Sequence, residues 1–72
     1  MTPRRSLDLE GGVRKRIRQL RHRRDLTSEQ VAKRARISRP YYTQIEGGTR
    51  RLGVRYLYRI AFALSVDPRD LL

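Results

Sequence analysis

Residues 27–48, TSEQVAKRARISRPYYTQIEGG, constrain the fold more than any other stretch. Thr27 suits a helix N-cap, because its hydroxyl can accept from an orphan backbone N–H of the first turn. Gln30 stands three residues on, the spacing of a capping box. Val31, Ala32 and Ala35 then fall on one helical face. Ser38 predicts a second cap, with Pro40 in the following turn, where a missing N–H does no harm. Tyr42 and Ile45 point back to the core at i, i+3 spacing. Gly47 and Gly48 predict the stop, since glycine takes the left-handed C′ conformation cheaply.

Two short helices joined by about three or four residues form a helix-turn-helix, whose second helix can enter a DNA major groove. The flanking chain supplies a scaffold. In residues 13–24, Val13, Ile17 and Leu20 recur at i, i+4, i+7 as an apolar stripe, surrounded by arginines expected to face solvent, with one cationic edge near a DNA backbone. Leu26 follows as a core plug. Residues 49–53 form a loop carrying Arg50 and Arg51, emerging beside the second helix. Residues 54–64 predict another helix with Leu57, Ile60, Ala61 and Leu64 inward. Asp67 and Pro68 begin a last short helix. Leu71 and Leu72 need burial, in this chain's core or against a second copy. Residues 1–12 show no sustained helical period and read as a flexible basic N-terminal tail; Arg4 and Arg5 there could form a minor-groove arm or remain solvated. The expected architecture is all-α, a compact bundle of about five short helices over residues 13–72.

Composition narrows the function. Seventy-two residues make one domain with a small core. Lys and Arg number 18 against 7 acids, a net charge of +11, and all but Lys15 and Lys33 of the cations are arginine. Arginine is the better fork for phosphate and guanine; a GC-rich genome would also favour arginine, but it would not account for the net charge. The absence of cysteine removes disulfides and thiolate metal sites and fits a reducing cytosol. No apolar run approaches a membrane span, and the N-terminus lacks a signal peptide's apolar segment. The single histidine, His22, lies among arginines, and no paired carboxylates accompany it, so the expectation is no enzyme, no metal and no cofactor. The expected location is the cytoplasm, on the nucleoid.

From about residue 17 to residue 71 the chain resembles the Cro-and-repressor type of helix-turn-helix domain, often called the xenobiotic-response-element family. The resemblance rests on IRQLRHRRDLTSEQVAKRARISRPYYTQIEGGTRR and LYRIAFALSVDPRDLL, aligned without a gap. Leu26-Thr27, Val31-Ala32, Ile37-Ser38-Arg39, Ile45-Glu46, Gly48 and Ala63-Leu64-x-Val66 stand where the family has them. The resemblance implies a lambda-repressor-like bundle of five helices, with base-reading side chains at Arg39, Pro40, Thr43 and Gln44. Arginine can bond bidentately to guanine, and glutamine to adenine, while Pro40 can offer only apolar contact. The resemblance further implies an ion pair, Arg21 with Glu46, tying the first helix to the third.

Three positions depart from the family. Its phosphate-binding glutamine is Ser28 here. Its turn glycine is Arg36, which stores roughly 1 kcal/mol of strain if the left-handed conformation is kept. A branched aliphatic is replaced by Tyr42, whose hydroxyl needs a partner if buried; the alternative is a tilt toward the surface. The reading that follows is a sequence-specific regulator of transcription, a repressor or autoregulator, binding double-stranded DNA. Ser28, Tyr41, Thr49, Arg50 and Arg51 would contact phosphates. A dimer on a palindrome is expected, joined through Phe62, Val66, Leu71 and Leu72. The alternative is a protein- or RNA-docking module on the same fold.

Overall fold

The two caps written into residues 27–48 form as the side chains dictate. The Thr27 hydroxyl accepts from the Gln30 N–H at 3.1 Å, and the Gln30 side chain accepts from the Thr27 N–H at 2.9 Å. This capping box starts α2, Ser28–Ala35, which buries Val31, Ala32 and Ala35. The Ser38 hydroxyl accepts from the Tyr41 N–H at 3.2 Å and starts α3, Arg39–Gly47. Between them Arg36 closes α2 in the left-handed conformation, φ 61° and ψ 45°. The turn therefore keeps its left-handed residue, although that residue carries a side chain. Gly48, at φ 91°, ends α3; Gly47 remains inside the helix.

The remaining elements of this computed structural model, which describes the backbone of residues 2–72 and the side chains of residues 11–72, complete an all-helical bundle. Helix α1 spans Thr2–Arg23 and α4 spans Val54–Ala63. The last element is a single 3-10 turn, Pro68–Leu71, rather than a fifth α-helix. The Asp67 carboxylate accepts from the Arg69 N–H at 2.8 Å and begins it. Pairing with Arg69 and that backbone bond hold the Asp67 carboxyl below its ordinary value.

Helix α1 starts at Thr2, not at Val13 as the apolar period predicts. Adding a turn to an existing helix is far cheaper than nucleating one, so a formed α1 continues backward through a stretch with no apolar stripe. Gly11 and Gly12 are exposed, with nothing near the place a Cβ would occupy, so they are tolerated inside the helix. The backbone of residues 2–12 is thus helical where an irregular tail was expected. The arm expected of Arg4 and Arg5 lies outside the described side chains.

Helix α2 packs on α3 and α4, α1 lies across α3, and the final turn closes against α1 and α4. The core joins Val13 and Ile17 of α1, Val31, Ala32 and Ala35 of α2, Tyr42 and Ile45 of α3, Ile60, Ala61, Ala63 and Leu64 of the α4 region, and Leu71. Tyr42 is fully buried rather than tilted outward. Leu71 also belongs to this core, which corrects its assignment to a dimer surface: the 3-10 turn folds the chain end back over α1 and α4. Leu72 and Phe62 remain exposed, and Val66 is half-buried. Among the described residues no helix is long and apolar enough to cross a membrane.

Candidate nucleic-acid interface

Helix α3 divides cleanly. Tyr42, Ile45 and Glu46 face the core, while Arg39, Pro40, Thr43 and Gln44 are exposed. The helical period forces this: 39, 40, 43 and 44 share one side, and 42, 45 and 46 the other. The four outward residues line one shallow depression. Among the described residues nothing bonds the Arg39 guanidinium or the Thr43 hydroxyl. Of the residues expected at phosphates, Ser28 at the start of α2 and Tyr41 are half-buried, and Thr49, Arg50 and Arg51 are exposed.

The far end of α3 is gripped by α1. The Arg21 guanidinium donates twice to one Glu46 carboxylate oxygen, at 3.2 and 3.1 Å, and once to the Leu26 carbonyl at 3.1 Å. Arg14 donates to the Ile45 carbonyl at 3.1 Å and Arg18 to the Glu46 carbonyl at 3.3 Å. The last carbonyls of a helix lack partners within it and carry the negative end of its dipole, so cations there satisfy both needs. Three arginines thus set the angle at which α3 projects. The buried Tyr42 phenol lies within reach of both members of the Arg21–Glu46 pair, yet its oxygen makes no hydrogen bond of good geometry. Burial first, and then the Glu46 carboxylate, raise its pKa well above the usual tyrosine value.

The start of α3 is braced by stacked side chains. The Tyr41 and Tyr56 rings lie 5.0 Å apart, and the Arg50 guanidinium covers Tyr41 at 4.5 Å. Arg50 also donates through Nε to the Gln44 side-chain oxygen at 2.9 Å. A capped helix is therefore held at both ends by other elements, with a polar face turned outward on a chain of net charge +11. A family model described as "Helix-turn-helix domain" matches residues 14–72. The chain belongs to the helix-turn-helix family.

Its relatives agree on the type. The chain is 42% identical over 55 residues to an uncharacterised HTH-type transcriptional regulator, YqaF, of Bacillus subtilis, covering 76% of this chain and 72% of that protein. It is similar in structure to the restriction-modification controller protein C.AhdI of Aeromonas hydrophila, with a TM-score of 0.83 and 30% identity, over 92% of this chain and 98% of that one. The clp gene regulator ClgR of C. glutamicum shares the fold, with a TM-score of 0.80 at 22% identity, over 88% and 82% of the two chains. Together these place the domain in the Cro-and-repressor branch.

Within this helix-turn-helix domain, the structure gathers Arg39, Pro40, Thr43 and Gln44 on one face and joins Arg21 to Glu46. It adds two features that residue-by-residue reading passed over. Arg14 and Arg18, expected in solvent, hold the end of α3. Their signal was present: Arg14, Arg18 and Arg21 each follow one residue after Val13, Ile17 and Leu20, so they flank the apolar stripe. The second is Arg50, expected at a phosphate but engaged with Gln44 and Tyr41.

Proposed function

We propose that this domain regulates transcription by binding double-stranded DNA, with α3 laid in the major groove. The observation that carries the reading is the outward set Arg39, Pro40, Thr43 and Gln44 on a helix capped by Ser38 and anchored behind by Arg14, Arg18 and Arg21. A base-reading helix must hold its register while its side chains meet base edges, and both ends of α3 are fixed. Arg39 and Gln44 carry hydrogen-bonding groups suited to purine edges, Thr43 to a thymine methyl or a base donor, and Pro40 to apolar contact. Ser28, Tyr41, Thr49 and Arg51 serve as phosphate contacts. The excess of cations supplies affinity for any duplex through counterion release.

A domain this small covers few base pairs. Two copies on a palindrome, with half-sites about one helical turn apart, would supply tight binding. Of the four residues assigned to such contact, Phe62 at 77% and Leu72 at 67% exposure, with the half-buried Val66, remain available. Action as a repressor of its own or a neighbouring promoter suits a domain whose binding alone blocks access.

A titration of fluorescent duplexes at several salt concentrations tests the proposal. Arg51→Ala should weaken all sequences alike and lower the slope of log affinity against log salt by about one unit, whereas Gln44→Ala should relax preference at one base pair. If both substitutions act alike on every duplex, α3 does not read sequence. Symmetry of the selected site reports the number of copies bound.

A further inference from the structure

Gln44 and Arg50 form a unit. The Gln44 main-chain carbonyl accepts from the Thr49 N–H at 3.0 Å, the Arg50 N–H at 3.2 Å and the Thr49 hydroxyl at 3.3 Å, which folds the loop back on α3. The Arg50 guanidinium rests on Tyr41, which rests on Tyr56, over which Arg59 lies at 5.6 Å. From this platform Arg50 Nε donates to the Gln44 side chain at 2.9 Å. A guanidinium has donors only, so the atom it meets must be Oε1. The amide is thereby oriented: its oxygen faces Arg50 and its NH2 is left over.

Glutamine reads adenine by accepting the N6 amino hydrogen at Oε1 while donating to N7. Here one lone pair of Oε1 is taken by a guanidinium, so an adenine amino group arriving there must share that oxygen with a cationic donor that repels it. What the pair has left to offer is Gln44 Nε2–H and the terminal guanidinium N–H groups, all donors. Guanine is the base whose major-groove edge presents two adjacent acceptors, N7 and O6, without a donor between them.

We propose that Arg50 is a positioning residue that locks the Gln44 amide with its oxygen turned away from the base, so that this end of α3 selects guanine rather than adenine. The proposal rests on α3 being the base-reading helix and reverses the adenine preference that glutamine alone suggests. A mutant with the Gln44 oxygen released should regain adenine.

The test is selection from a random double-stranded oligonucleotide library with the full chain, repeated with Arg50→Met, Gln44→Ala and the double variant. Arg50 is exposed, so Arg50→Met should fold; circular dichroism checks this, and Arg50→Leu serves as a second variant. In the wild type, the position whose preference disappears in Gln44→Ala should carry guanine, favoured over adenine by about ten-fold. Arg50→Met should move that position, and no other, toward adenine. In the Gln44→Ala background the Arg50 change should leave base preference flat. Adenine in the wild type, an unmoved guanine in Arg50→Met, or a preference shift that survives Gln44→Ala would each overturn the proposal. A wild-type library that enriches no motif despite salt-dependent binding would instead sink base reading by α3 altogether.

Discussion

Replacing Tyr42 with phenylalanine should stabilise the domain. The phenol is fully buried, and although Arg21 and Glu46 lie near, its oxygen makes no hydrogen bond of good geometry. An unsatisfied buried hydroxyl costs about 1–3 kcal/mol. Phenylalanine keeps the ring and forfeits only the contacts of one atom, so the net gain should be about 1 kcal/mol. In a domain of this size that raises Tm by roughly 4–8 °C. The pH dependence gives a second, independent reading. Burial and the Glu46 carboxylate raise the folded pKa above the unfolded value of 10.0. Above pH 10 the unfolded phenol therefore ionises while the folded one stays neutral. The corresponding stability is whole below pH 10 and is lost as pH rises, by about 1.4 kcal/mol per pH unit until the folded group titrates. Tyr42→Phe lacks this loss, so its advantage should grow from about 1 kcal/mol at pH 8 to about 2 kcal/mol at pH 11. Urea unfolding followed by far-ultraviolet circular dichroism at both pH values measures the gap. A variant less stable than the wild type at pH 8, or two stability curves that run parallel from pH 8 to pH 11, would refute the reasoning.

Two further substitutions probe the scaffold that holds α3. Arg36→Gly should raise stability by about 1 kcal/mol, because glycine adopts the left-handed turn without the Cβ clash that Arg36 carries at φ 61°; chemical denaturation measures it, and a loss of stability would mean that the Arg36 side chain matters more than its backbone. Glu46→Ala should cost roughly 3–5 kcal/mol, since it strands Arg21 in a pair whose side chains are only 15% and 8% exposed. The double variant Arg21→Met, Glu46→Leu should recover much of that loss in thermal melts, because the charge left without a partner is the larger part of the damage.

Much of the fold can be read along the chain. Thr27 with Gln30, Ser38 with Tyr41, and Asp67 with Arg69 act across two or three residues, and such contacts follow from residue type and spacing alone. The inward and outward faces of α3 follow equally from the helical period, which is why the residues assigned to the groove came out together. The start of α1 was less legible, since helix extension through residues 2–12 needs no apolar pattern to announce it.

The sequence by itself therefore determined where α2, α3 and α4 lie, which residues cap them, and which side of α3 turns outward, because a helix imposes its own period and its ends demand local partners. Only the tertiary structure decided that Tyr42 is enclosed, that Leu71 fills this chain's own core, and that Arg14 reaches the Ile45 carbonyl 31 positions away. It alone also turned Arg50 from a free cation into the partner of Gln44. Those outcomes depend on how the helices cross and where the loops between them fold back, and no spacing along the chain encodes a crossing angle.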